Sequence, residues 1–164
     1  MQTLTRTLVA ATALALTAGS ATAVRAQAKA PDLSGTWEMD ATKSQFGPLP
    51  PPTKMALTIT QTGATAMKVT TVSTTTEGDQ SVTSEYTIDG TPRDMKTSDG
   101  QAQTSAVKWD AGVLVVDTKM ERQGAQIGLA SRYALSPDGK LLTIDRHITT
   151  PMGDADMTIR FNKR

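Results

Sequence analysis

From Lys54 to its C-terminus the chain alternates apolar and polar residues almost without a break, and glycine-bearing turn signals cut the alternation into short pieces. The signals are Thr62-Gly63, Glu77-Gly78-Asp79, Asp89-Gly90, Asp99-Gly100, Asp110-Ala111-Gly112, Gln123-Gly124, Pro137-Asp138-Gly139 and Pro151-Met152-Gly153. Side chains two apart share one face of a strand, so this period reads as a series of half-buried strands. The signals stand roughly 9 to 15 residues apart, which is hairpin spacing and leaves no room for crossover helices. Abundant threonine suits the same pleated surface. Nine strands are expected here and a tenth at Ser34 to Met39. A ten-strand meander left open would expose long unpaired edges, and closure removes them. The predicted fold is therefore all-β: an up-and-down antiparallel β-barrel of about ten strands.

The first 28 residues read differently. Met1 to Arg6 is a short basic start, Leu8 to Ala18 is an uncharged apolar run, and small residues follow at Ala21-Thr22-Ala23, Val24-Arg25-Ala26 and Ala26-Gln27-Ala28. The run is too short to span a bilayer as a helix. The pattern predicts a secretory signal peptide over residues 1–28, cut after Ala26 or Ala28, and a single domain over residues 29–164. The small-residue sites argue against the alternative, an uncleaved anchor. With no cysteine the chain has no thiol to lipidate, no disulfide and no thiolate chemistry. Export without disulfides fits a bacterial periplasm or secretion, and a soluble monomer without stable membrane anchoring is expected. Lys and Arg total 17 against 16 Asp and Glu; the leader carries Arg6 and Arg25, so the remainder stands at 15 against 16, or −1. No basic face is expected to track phosphates, which argues against nucleic acid as a partner.

The stretch DLSGTWEMD, Asp32 to Asp40, opens the mature chain after an exposed lead-in at Lys29 to Leu33. Residues 40–53 are rich in proline and glycine and are not expected to join a sheet ladder. Phe46, Pro48 and Leu49 are candidates for a lid over the barrel mouth; the alternative is a polyproline spacer that simply crosses the barrel end. DLSGTW, the Lys43 to Pro52 segment K-S-x-F-G-P-x-P-P-P, the Lys108-Trp109-Asp110 turn and LSPDGKLLTI at Leu135 to Ile144 together resemble the small exported lipocalin-like proteins of bacteria. The resemblance spans nearly all of the mature chain. It implies a calycin-type barrel in which Trp37 plugs one end and a cavity holds a small apolar ligand. The proline-rich segment departs from the helical lid that fatty-acid-binding proteins carry at that place.

Alternation proposes the inner wall strand by strand. Met55, Leu57 and Ile59 share one parity, as do Val82, Tyr86 and Ile88; Ile127, Leu129, Tyr133 and Leu135; and Met157, Ile159 and Phe161, while Trp109 shares its face with Val107. The inward set of the Gly112 to Arg122 strand is Leu114, Val116, Thr118, Met120 and Arg122. Leu142, Ile144 and Ile148 carry Arg146 inward with them. An arginine in an apolar row is costly unless a carboxylate or a ligand anion satisfies it. Arg146 and Arg122 are thus the candidates for holding the head of an acidic amphiphile. The alternatives are that Arg122 reaches solvent at the rim and that Arg146 pairs with a buried acceptor or snorkels outward. Tyr86 and Tyr133 are candidates to orient a polar end, and Met55, Met120 and Trp109 to line the cavity. Thioether chains adapt to varied shapes, though core filling is the weightier role for them.

Catalytic chemistry is sparse. The lone histidine, His147, shares parity with Asp145 and Thr149 and is expected outside, which argues against haem ligation and against zinc. No Gly-x-Ser-x-Gly elbow or dinucleotide fingerprint occurs, and Ser136 reads as a turn residue. Asp154 and Asp156 are expected in a loop, as solvated surface. No catalytic residue, metal or cofactor is expected. The preferred reading is a non-enzymatic binding or carrier protein for a small apolar or amphipathic molecule. The rival is an envelope protein with a solid barrel that binds protein partners through its outer loops. A third reading, an isomerase or hydrolase using a cavity Tyr and Arg, lacks a base.

Overall fold

The computed structural model describes residues 30–76 and 78–164; the predicted leader and Glu77 of one turn lie outside the described residues. Ten strands follow one another: β1 (Gly35–Met39), β2 (Lys54–Thr62), β3 (Ala66–Thr75), β4 (Gly78–Thr87), β5 (Arg93–Lys96), β6 (Ala102–Asp110), β7 (Val113–Arg122), β8 (Ala125–Leu135), β9 (Leu141–Thr150) and β10 (Gly153–Lys163). They form one antiparallel sheet in the order β4-β3-β2-β1-β10-β9-β8-β7-β6-β5. The alternating pattern and the turn residues thus lead to the predicted meander. A two-residue hairpin loop of the mirror-image type I turn needs positive φ at both positions. Ala111 and Gly112 take it at 49° and 85°, and Gln123 and Gly124 at 53° and 77°.

The sheet curls into a nearly closed barrel. Its two margins, β4 and β5, are not paired along their length. They are tied just beyond β5, where Ser98 N donates to Thr83 O at 3.0 Å and Thr83 N donates to Ser98 Oγ at 2.8 Å. Lower down, Gly90 N donates to Val107 O across the seam. Trp109 Nε1 reaches across to Ala64 O at 3.2 Å, so this indole helps to close the barrel near its floor.

The floor is packed solid. Trp37, Leu114, Leu142 and Phe161 are 0% exposed, with Leu33 and Ile159 beside them. The Trp37 indole N–H donates to Leu33 O at 2.9 Å, and Leu33 N donates to the Gln61 side chain at 3.1 Å. This corrects the expectation of an exposed lead-in: Leu33 is sealed under Trp37 because its backbone is held on both sides.

The proline-rich segment is also better tied than expected. Asp40 N donates to Arg160 O, and Gln45 and Thr158 exchange backbone hydrogen bonds, so the chain bridges to β10 before it turns at Phe46 to Leu49. Phe46 is buried in the core, whereas Leu49 is exposed. The segment returns where Thr53 N donates to Thr74 O. Gly47 fits this path at φ 57°, and a β-carbon there would stand 2.7 Å from the Asp156 carbonyl oxygen. Gly47→Ala is therefore expected to cost about 1–3 kcal/mol through a strained left-handed backbone and a clash that only movement off β10 relieves. A thermal melt checks it, and a wild-type midpoint would show that the segment does not hold this path.

Candidate functional site

The strand register reads the inner wall in rows. One row runs Val107, Val116, Ser131, Arg146, Met157 across β6 to β10. The row below it is Trp109, Leu114, Tyr133, Ile144, Ile159, and the row above is Ser105, Thr118, Leu129, Ile148, Ala155. Packing changes between them along β8 to β10, where Tyr133, Ile144 and Ile159 are buried and Leu129, Ile148 and Ala155 are not, while Ser105 and Thr118 on β6 and β7 stay buried. Inward side chains near the floor are buried, while Met55, Val82, Tyr86, Met120, Ile127, Leu129, Ile148 and Met157 keep partial solvent contact. The interior is sealed at the Trp37 end and accessible at the other.

Arg146 lies at this transition. Its Nε donates to Ser131 Oγ at 3.0 Å, and Ser131 is only 3% exposed. Among the described residues no carboxylate lies within ion-pair distance of the guanidinium. Tyr86 approaches from β4. Burial pushes its phenol above the ordinary value, and neighbouring Tyr133 adds to the rise, while Ser84, Arg146 and Gln103 oppose it. Its hydroxyl therefore stays protonated and able to donate.

Of the residues singled out in the sequence, Arg146, Tyr86 and Tyr133 come together. Met55 and Met120 stand on inward parity in the accessible half, at the starts of β2 and the end of β7. Trp109 stands apart at the floor. Arg122 is exposed at the last position of β7, where its charge is the weakest of the influences that lower the Asp99 carboxyl, the hydrogen bond from Thr97 being the strongest. It takes the rim position that was the alternative for it, because the ladder ends there and the side chain clears the wall. Trp37 occupies the floor.

Sequence reasoning missed Ser131, Ser105 and Gln103. The strand AQTSAVKWD shows little apolar alternation, but counting back by twos from Trp109 and Val107 reaches Ser105 and Gln103, and counting back from Tyr133 reaches Ser131.

Outside the barrel, Asp154 and Asp156 belong to β10 rather than to a loop, because the two-residue turn before them starts the ladder at Gly153. They flank His147, which is exposed: Nδ1 lies 2.7 Å from Asp156 Oδ1 and Nε2 lies 3.6 Å from Asp154 Oδ2. The Asp156 hydrogen bond, followed by the charges of both carboxylates, raises the imidazole above its ordinary 6.5. A raised folded-state value means that the stabilisation is fully present below about 6.5 and is lost as pH climbs through the folded value. The melting temperature of the wild type is expected to fall across that window relative to His147→Gln, which removes the titration. Parallel pH profiles for the two proteins would refute it. Among the described residues no group of three His, Asp or Glu side chains, His147 with Asp154 and Asp156 included, is arranged to hold a metal ion.

The single antiparallel meander, curled into a nearly closed barrel round a plugged floor, has the fold of fatty-acid-binding proteins. No family model matches the sequence, and no curated protein resembles it at sequence level. Among solved structures, the chain is similar to zebrafish ileal bile acid-binding protein complexed with cholic acid, at 18% identity and TM-score 0.54, covering 80% of this chain and 98% of that one. It is similar to the REP1-NXSQ fatty acid transporter at 14% identity and TM-score 0.56, over 80% and 96%. Apo Caenorhabditis elegans lipid binding protein 8 gives 12% identity and TM-score 0.56, over 80% and 95%.

Proposed function

We propose that this chain is an exported, non-enzymatic carrier for a small amphipathic acid, held inside the barrel with its hydrocarbon against the apolar rows and its anionic head on Arg146. The observation that carries the reading is Arg146 itself: a permanent cation on an apolar inner row, positioned by Ser131, with no carboxylate among the described residues within ion-pair distance. Such a charge is costly to hold without an anion, and a carboxylate that accepts from a guanidinium supplies one in bidentate geometry. Tyr86 adds a protonated phenol to the same site. Desolvation supplies the affinity, at roughly 25 cal/mol for each Å² of ligand hydrocarbon removed from water.

The solved neighbours support the ligand class, since one holds cholic acid and another is a fatty acid transporter. The leader pattern supports action in the periplasm or outside the cell. The outer wall, which presents Lys68, Glu85, Asp117, Lys119, Arg132 and Asp145 to solvent, supports a water-soluble monomer without stable membrane anchoring. Native mass spectrometry of protein purified from its own envelope tests the reading: a co-purifying acidic amphiphile is expected. A ligand-free protein that also fails to displace a fluorescent fatty acid would leave the solid-barrel reading in its place.

A further inference from the structure

Ser105 and Thr118 occupy inner-wall positions whose strand neighbours two residues away, Val107 and Val116, are buried valines. An apolar pair would fit such a wall at little cost, because exchanging both partners of a hydrogen bond for apolar groups of the same shape is nearly neutral. Hydroxyls stand there instead. Ser105 is 4% exposed, Thr118 6% and Gln103 8%. Ser105 Oγ and Thr118 Oγ1 lie 2.9 Å apart, and Gln103 Nε2 donates to Ser105 Oγ at 3.4 Å. Counting donors shows that this run is incomplete. If Ser105 donates to Thr118, the Thr118 proton has no acceptor among the described residues; if Thr118 donates to Ser105, the Ser105 proton has none. Gln103 also hydrogen-bonds the Tyr86 phenol, so the unpaired proton of the run belongs to the Ser105 and Thr118 hydroxyls. Gln103 opens onto a cleft of about 760 Å³ at the β5 to β7 side of the mouth, together with Met95 and Met120. Gln103 thus brings one end of the run to the mouth, with Ser105 and Thr118 buried behind it.

Ser105 and Thr118 stand away from Arg146, while Gln103 joins them to the Tyr86 phenol. Val116 is two strands from Arg146 in the same row, and Thr118 is two residues further along β7 toward the mouth. Strand geometry sets the two positions about 12 Å apart along the wall. We infer that Gln103, Ser105 and Thr118 form a second subsite that takes a hydroxyl carried in the middle of the ligand, so that the preferred ligand is a hydroxylated amphipathic acid rather than a plain one. The inference rests on the carrier reading above, with the acid head on Arg146 and the body of the molecule running toward the mouth.

Ricinoleate and oleate share a carboxylate, a chain length and a double bond and differ by one mid-chain hydroxyl, so calorimetric titration of both tests the subsite. Ricinoleate is expected to bind the wild type about tenfold more tightly, the effect of one or two hydrogen bonds made in a buried site. The double variant Ser105→Ala, Thr118→Val is expected to erase that preference and leave oleate affinity unchanged, while Thr118→Ser, which keeps the hydroxyl, retains it. Equal affinities in the wild type, or a preference that survives in the double variant, would overturn the subsite while leaving the carrier reading intact. Failure of both acids to bind the wild type would remove both.

Discussion

Arg146→Met is expected to weaken binding of acidic amphiphiles by roughly 10- to 150-fold, the loss of about 1.5–3 kcal/mol for a hydrogen bond to a charged group. A neutral analogue of the same length, such as an alcohol or methyl ester, should bind the variant about as well as the wild type, because its contacts are with the apolar rows. Arg146→Lys keeps the charge and loses the planar fork, so an intermediate loss is expected. Stability should hold or rise in the Met variant, since methionine joins the row of Val107, Val116 and Met157 without a charge to desolvate. Displacement of a fluorescent fatty acid gives the affinities and a melt gives the stability. Equal losses for acidic and neutral ligands would mean that Arg146 shapes the cavity and does not read the head group.

Trp37→Ala is expected to have the largest effect on folding, about 3–5 kcal/mol, because the side chain is completely buried and the floor around it has no means of collapsing into the space. That is a large share of the stability of a domain this size. The indole also donates to Leu33 O, so Trp37→Phe, which preserves most of the ring, should still cost about 1–3 kcal/mol through a buried carbonyl left without its donor. Trp109→Ala should cost less than either, since that indole is only partly buried although it closes the seam to Ala64. Denaturant unfolding of the three variants ranks them. A Trp37→Ala midpoint equal to that of Trp109→Ala would show that the floor does not depend on its plug.

The parity of nearly every strand was legible, because side-chain direction in a strand is a local property and a residue cannot change face without a bulge. Leu57, Ile59, Tyr133, Leu142, Ile144 and Phe161 are inside, and Thr58, Thr60, Asp117 and Lys119 are outside, as alternation requires. Misplacements occurred where burial depends on distant chain. Leu33 is covered by Trp37 and Gln61; Gln45 finds a partner in Thr158; and Asp154 and Asp156 are strand residues because His147 and Thr149 stand opposite them. Arg122 obeys its parity and still reaches water, since parity does not say where a wall ends.

The amino-acid sequence alone determined the local quantities: strand period, turn positions, and the inward direction of Arg146, Tyr86 and Tyr133. Each follows from neighbours a few residues apart and the conformations they permit. Which rows meet, which end is sealed, and that Ser131, Ser105, Thr118 and Gln103 accompany the arginine were decided only by the tertiary structure. Curling the sheet sets β1 against β10 and brings β4 toward β6 across the seam, contacts between residues far apart in the chain whose depth and partners no local pattern encodes.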